Sequence, residues 1–161
     1  MPWKWGKVVD RGHNNHKIPG CGMTGEFRHT IDAKGRLFIP SRLREELGES
    51  FYVTKGLDNC LSIYPGPAWR AIEEKVAALP LSKSRNLQRT LFASAVRCEP
   101  DAQGRIVVPQ KLRDYAYLNK EVAVIGVSSR AEVWDAARWD GIESNELTAK
   151  ELAESMEELG F

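Results

Sequence analysis

The feature that most constrains this chain is an internal repeat with an offset of 69 residues. Residues 32–40, with the sequence DAKGRLFIP, recur as DAQGRIVVP at residues 101–109. The similarity returns after a one-residue slip, where Trp69 corresponds to Trp139. Two copies of one unit predict two modules with the same fold. Because each module is too small to bury much surface alone, we expect the two halves to pair about a pseudo-two-fold axis and share one core.

Each repeat contains a turn, a strand and a short helix in the same order. In the first copy, the Asp32 side chain can cap turn amides, and Gly35 permits a positive φ. The apolar run that begins at Arg36 predicts a strand covered on both faces. Pro40 then ends the strand and begins a helix. The expected elements are extended segments at 26–31 and 94–99, helices at Ser41–Leu47 and 110–117, and hairpins at 51–64 and 121–134.

The rest of the chain predicts helices. Ala68, Ile72, Val76 and Leu79 have helical spacing at the end of the first repeat, where we expect Trp69 and its counterpart to pack in the core. The Thr148-x-x-Glu151 pattern is typical of a capping box and predicts a short acidic helix. The predicted organisation is an extension at 1–22, a first module at 23–81, a basic connector helix at 82–93, a second module at 94–143 and an acidic C-terminal helix at 144–161.

The charge of the chain is unevenly distributed, although its formal net charge is only +1. Residues 140–161 contain seven acidic side chains, and Lys150 is their one basic residue. An acidic tail beside a basic body can accompany nucleic-acid binding, but it is a weak indication by itself. The sequence contains no apolar run long enough to span a bilayer and no secretory signal. Its three scattered cysteines favour a reducing compartment, so we expect a cytoplasmic protein.

The two turns and the segments around them resemble the MraZ family of bacterial regulators, which carry tandem SpoVT/AbrB-type modules. The resemblance extends over residues 23–161 and includes GLDNCL at 56–61 and VIGVS at 124–128. It implies a mainly β fold with short helices (α+β), in which both repeats form one swapped-hairpin β-barrel. It also implies a transcriptional regulator that binds short direct repeats in its own promoter, upstream of a division and cell-wall gene cluster. The implied assembly is a ring-shaped homo-oligomer associated with the nucleoid.

The DNA-binding signature of that family, Asp-x-x-x-Arg, falls on both turns. An arginine held at a rigid turn can offer a planar fork to guanine, which lysine cannot do. We expect the aspartates to cap the turns or orient the arginines, and other cations to contact phosphates. Lys34 corresponds to Gln103, so the copies are not equivalent. The predicted DNA-binding residues are Arg36, Arg105, Lys34, Asp32, Asp101, Arg28 and Arg42, with Arg97 and Lys111 as further phosphate contacts, whereas Arg44 and Arg113 are expected to be structural or interfacial.

Other interpretations of the same residues remain open at this point. An Asp-x-x-Gly turn before a strand is common, and its arginine can simply be solvated or salt-bridged. Residues 23–161 contain no catalytic triad, phosphate loop or metal-ligand spacing, so we expect no enzyme activity, cofactor or small-molecule substrate. The alternative function is a non-enzymatic protein-interaction or antitoxin-like module. Replacing Arg36 by alanine would abolish DNA binding but leave such an interaction intact.

Residues 1–22 have no counterpart in the repeat. His13, His16 and Cys21 form at most a weak metal-binding pattern. We expect a disordered extension or a mis-assigned start, with Met23 as the natural first residue. Trp5-Gly6 must be encoded by TGGGGN, which resembles the G-rich repeats that the family binds, so our hypothesis is that this segment is translated operator. Mass spectrometry of the native protein would refute the hypothesis by detecting peptides from residues 3–17.

Overall fold

The structure is a computed structural model that describes residues 22–143 and 146–161, except the side chain of Glu143. The predictions for residues 1–21 and 144–145, including the proposed metal-binding pattern, lie outside the described residues. The strands are β1 Glu26–Thr30, β2 Arg36–Phe38, β3 Phe51–Lys55, β4 Leu61–Pro65, β5 Val96–Cys98, β6 Arg105–Val107, β7 Glu121–Gly126 and β8 Ala131–Asp135. The helices are α1 Ser41–Leu47, α2 Gly66–Ala77, α3 Leu81–Leu91, α4 Gln110–Tyr115, α5 Ala136–Glu143 and α6 Ala149–Glu158, with a 3₁₀ turn at Leu57–Asn59.

The strands form two antiparallel sheets in which the repeats are interleaved. Six strands follow the order β1-β7-β8-β4-β3-β5, and β2 pairs with β6 in a separate two-stranded ladder. Strand β1 of the first repeat therefore pairs with β7 of the second, and β5 of the second pairs with β3 of the first. Because each repeat contributes strands that pair with the other repeat, the two halves form one sheet together.

The mixed α+β class is as predicted, but a closed barrel is not what the strand pairing forms. In the part of the chain that the structure describes, β1 and β5 are the edges of an open six-stranded sheet. The physical reason is that β2 and β6 pair with each other rather than with those edges. A single bridge, between Ile31 and Leu37, links the end of β1 to β2.

One core holds the two repeats together. Leu37 and Ile106 face each other in the ladder and are buried in a single apolar cluster, together with residues from both halves such as Phe51 and Val133. Trp69 is buried as predicted and stacks on Tyr52, with ring centroids 5.1 Å apart. Trp139 is half-buried and packs on a second, smaller cluster around Trp134. The ladder is therefore anchored to the core through its central pair.

Several element ends differ from the predictions for local reasons. Helix α4 ends at Tyr115 rather than at residue 117, since Tyr117 has a φ of 52° and cannot continue a helix. Strand β5 begins only at Val96, because a turn in which the Ala95 amide bonds to the Phe92 carbonyl follows α3. Helix α5 was not predicted, although the correspondence of Trp139 with Trp69 on α2 indicates it. None of the helices described is long and apolar enough to cross a membrane.

Candidate nucleic-acid interface

The Asp32 side chain organises the turn that leads into β2. Its Oδ1 accepts hydrogen bonds from the backbone amides of Lys34 and Arg36, each 2.9 Å long. Its Oδ2 accepts a 2.5 Å bond from Arg36 Nε. Gly35, with a φ of 80°, donates its amide to the Asp32 carbonyl at 2.9 Å. One carboxylate thus caps the turn and orients the arginine that follows it, as the sequence predicted.

The second repeat reproduces this arrangement bond for bond. Asp101 Oδ1 accepts 2.9 Å bonds from the amides of Gln103 and Arg105, and its Oδ2 accepts a 3.1 Å bond from Arg105 Nε. Gly104 has a φ of 77°. The pKa of Asp101 lies below its usual value, as does that of Asp32, mainly because the arginine amide and then further hydrogen bonds stabilise the ionised carboxylate. Both aspartates are therefore ionised at neutral pH.

The ladder brings the two arginines onto one face. Arg36 pairs with Val107, and Phe38 pairs with Arg105, on either side of the buried central pair. Since side chains alternate along a strand, both arginines point away from the core. They are diagonal neighbours across the ladder, a relationship that separates residues by roughly 7–8 Å. Their side chains are 39% and 35% exposed.

Each arginine uses one nitrogen for its aspartate and keeps the others accessible. Within the described residues, the side-chain hydrogen bonds of Arg36 and Arg105 involve Nε alone. The two Nη groups of each guanidinium remain available for a partner. The salt-bridged arginine considered as a structural alternative is thus present, but the salt bridge uses only Nε and leaves both side chains partly exposed.

The outer face of the ladder also carries apolar side chains, which corrects one prediction. The strands were expected to be covered on both faces, yet Val107 is 58% exposed. Its counterpart Phe38 is half-buried, because His29 packs edge-on against its ring at 5.1 Å and Arg44 lies over it at 5.5 Å. The strands are short, and among the described residues of the chain only their central pair, Leu37 and Ile106, is fully buried. An apolar run alone did not reveal this exposed valine.

Arg44 and Arg113 each form a hydrogen bond within their own repeat and lie against the turn glycine of the other repeat. Arg44 Nε donates to the Ile39 carbonyl at 2.8 Å, and Arg113 Nε donates to the Val108 carbonyl at 3.0 Å. A backbone hydrogen bond also joins the two repeats, since the Val108 amide donates to the Gly35 carbonyl at 2.7 Å. These arginines have the structural or interfacial role predicted for them. They pack against the two aspartate-capped turns, residues 32–36 and 101–105, which we call the recognition turns.

The remaining predicted contacts fall into two groups. Lys34, Arg42 and Lys111 are exposed on the first turn, α1 and α4. By contrast, Arg28 lies on β1 and forms salt bridges with Asp140 at 2.6 Å and Glu26 at 2.8 Å, which raise its pKa. Arg97 lies on β5, 3.2 Å from Glu99. The ladder and its flanking helices therefore collect accessible cations, whereas those on β1 and β5 are paired with carboxylates.

The described residues contain no group of three or more His, Cys, Asp or Glu side chains placed to hold a metal ion. The outer face of the ladder offers two guanidinium groups, each bonded to the aspartate of its own turn, and one exposed valine. Such a surface suits a ligand that combines phosphates with hydrogen-bond acceptors in a groove.

Comparison with known proteins identifies the family to which the chain is similar. Residues 23–89 and 91–159 each match the sequence profile of the family described as "MraZ protein, putative antitoxin-like". The chain is 50% identical over 135 residues to the transcriptional regulator MraZ of Carboxydothermus hydrogenoformans, covering 82% of this chain and 94% of that protein. It is 48% identical over 140 residues to that of Pediococcus pentosaceus, with coverages of 85% and 98%. The protein of the same name from Moorella thermoacetica is 53% identical over 118 residues, with coverages of 72% and 82%.

Proposed function

The chain belongs to the MraZ family. We propose that it is a sequence-specific DNA-binding transcriptional regulator in which Arg36 and Arg105 contact the base edges. The observation that carries the proposal is the duplicated turn. Two guanidinium groups lie diagonally on one face of the β2–β6 ladder, and each is held by the aspartate four residues earlier. A surface with two equivalent donors suits a duplex, which presents acceptor groups on the base edges at regular intervals along a groove.

The arginines would read base edges, while nearby cations would bind the backbone. A guanidinium fork that bonds to O6 and N7 of guanine contributes about 1–3 kcal/mol of discrimination. The outward Nη groups leave such a fork available. Val107, which is exposed and lies directly opposite Arg36 in the ladder, would contact a thymine methyl group beside that guanine. Lys34, Arg42 and Lys111 would contact phosphates, which adds affinity without sequence information.

Asp32 and Asp101 would act on DNA only through the arginines. Their carboxylates are occupied by three hydrogen bonds each within their own turns. A free carboxylate facing phosphates would be repelled, whereas these two are neutralised by the guanidinium groups. Arg28 and Arg97 are weaker candidates than the sequence suggested, because carboxylates already pair with them.

The operator and the assembly that we propose follow the family resemblance. The operator would consist of short direct repeats in the chain's own promoter, upstream of a division and cell-wall gene cluster. Two arginines per chain would bind weakly, so a homo-oligomeric ring would gain affinity by engaging several repeats at once. Head-to-tail assembly suits direct repeats better than a two-fold dimer does. In this proposal each repeat is one half of a single unit, and the regulator acts in the cytoplasm at the nucleoid.

The test is a DNA titration of the full chain. Fluorescence anisotropy would measure binding to a duplex with direct TGGG-type repeats, and to a scrambled duplex, across a salt series. The wild type should bind the repeats preferentially, and the Arg36→Ala/Arg105→Ala variant should lose that preference. The slope of log K against log salt, about −0.9 per phosphate neutralised, would count the phosphate contacts.

Arg70→Ala provides a matched control, because it removes an exposed arginine from α2, outside the ladder. The control should keep the wild-type preference for repeats. Equal binding of wild type and double variant to both duplexes would overturn the proposed function. It would favour the alternative of a protein-interaction module, for which the arginines would be structural.

A further inference from the structure

The C-terminal helix α6 is a second surface feature that DNA recognition does not explain. All ten of its residues are exposed. They include Leu152 at 53%, Met156 at 38% and, one residue beyond the helix, Leu159 at 72%. The spacing of four and three residues places these side chains on one face. The helix therefore has an apolar stripe that is exposed among the residues that the structure describes.

An isolated helix of this length is marginal in water. The sequence nevertheless caps it well: Thr148 Oγ1 accepts a 3.2 Å bond from the Glu151 amide, and Glu151 bonds back to the Thr148 amide at 2.7 Å. Glu151, Glu154, Glu157 and Glu158 make the rest of its surface acidic. A capped amphipathic helix with an uncovered apolar face is typical of a segment that docks on another surface.

A groove with complementary properties lies between α2 and α3. Its volume is about 540 Å³. Ile72 of α2 and Leu87 and Leu91 of α3 contribute apolar walls, and Leu87 is 44% exposed. The groove is thus apolar, open and wide enough for several side chains of a helix.

The surroundings of this groove are basic where α6 is acidic. Lys55 and Lys75 line it, and Lys83 lies one helical turn before Leu87, on the same face of α3. Within the described residues, Lys75 and Lys83 form no salt bridge. Helix α3 contains three cations and no acidic residue. The apolar stripe of α6 therefore matches the apolar walls of the groove, and the acidic residues of α6 match the lysines around it.

We propose that helix α6 of one copy docks in the α2–α3 groove of a second copy of this chain. Every copy carries both surfaces, so the matching partner is always present wherever the chain is. The contact joins two different surfaces and is therefore head-to-tail, which continues until a ring closes or a filament forms. The proposal supplies the self-association that the proposed function invokes, but its test needs no DNA.

The experiment is a complementation of two assembly-defective variants in the full chain. Leu152→Glu/Met156→Glu disables α6 and leaves the groove intact, whereas Leu87→Glu disables the groove and leaves α6 intact. Sedimentation velocity should show wild-type assemblies larger than the dimer, and each variant alone should sediment as the 18.1 kDa monomer. An equimolar mixture should form a dimer and nothing larger, since only one functional contact remains between the two chains.

Leu81→Glu is the matched control, because Leu81 is 67% exposed on α3 but does not line the groove; it should assemble like the wild type. The urea midpoints of all variants should equal that of the wild type, since the replaced side chains are exposed or partly exposed. A monomeric wild type, as expected if α6 docks within its own chain, would overturn the proposal. So would variants that still assemble, or a mixture of folded variants that stays monomeric. Binding of the monomeric variants to a single repeat is measured separately, so failure here leaves the role of Arg36 and Arg105 untouched.

Discussion

The guanidinium of Arg44 lies directly against the turn glycine Gly104 of the other repeat. A Cβ atom added to Gly104 would come within 2.9 Å of Arg44 Cζ. The symmetric contact is tighter, because a Cβ at Gly35 would collide with the Val108 carbonyl, a backbone atom, as well as with Arg113. The glycines of the recognition turns are thus required by the packing between repeats and by their positive φ.

This packing predicts an order of stabilities for three alanine variants. Gly48 has a φ of 84° and a ψ of −170° but open space around it, so Gly48→Ala should cost only the backbone strain, about 1–3 kcal/mol. Gly104→Ala should cost more, because Arg44 must move, and Gly35→Ala should cost most, because a backbone carbonyl cannot. Urea unfolding measures the free energies. Equal losses at all three positions would contradict the role of the inter-repeat contacts.

The turn aspartates predict how stability depends on pH. Their pKa values are lower in the folded chain than the usual 3.8. Their contribution to stability is therefore fully present above pH 3.8 and is lost as the pH falls through the lower, folded-state values. The stability of Asp32→Asn/Asp101→Asn should therefore fall less steeply than that of the wild type as the pH is lowered below 3.8.

Urea midpoints across that pH range would measure the effect, with Glu45→Gln, an exposed residue of α1, as the control that keeps the wild-type profile. Parallel profiles for the aspartate variant and the wild type would show that the turn carboxylates contribute no differential stabilisation.

Replacing Arg36 and Arg105 by lysine should separate the contribution of base recognition from that of positive charge. Arg36→Lys/Arg105→Lys keeps both positive charges but loses the planar fork. Preference for the repeat over a scrambled duplex should drop by about 1–3 kcal/mol per lost guanine contact. The salt slope should change little, since lysine still neutralises charge. Anisotropy titrations with both duplexes measure the two quantities, and an unchanged preference would argue that the arginines bind only phosphate.

The residue directly before the turn glycine predicts a difference in DNA binding between the two repeats. It is Lys34 in the first turn and Gln103 in the second, and both are exposed. If Lys34 binds a phosphate, Lys34→Gln should weaken binding to every duplex and reduce the salt slope by about 1. Gln103→Lys is the reciprocal control and should increase the slope by a similar amount. A Lys34→Gln variant with the wild-type slope would place Lys34 away from the backbone.

Local patterns determined much of this protein. The repeated DAxGR segment established two equivalent modules, the aspartate-capped turns and the positive φ of their glycines, because these features depend on residues within five positions of one another. The capping box at Thr148 and the exact span of α1 follow from equally local rules. The family membership was also evident from the sequence, since it rests on the order of such motifs.

Tertiary structure decided what each element faces. The exchange of β1 and β5 between halves, the open sheet and the separate β2–β6 ladder arise from pairing between residues far apart in the chain. Only that pairing exposes Val107, pairs Arg28 with Asp140 and brings Arg36 and Arg105 onto one face of the ladder. Side-chain alternation gives each strand two faces, but which of them meets the core depends on its partner strand, and local sequence carries no such information.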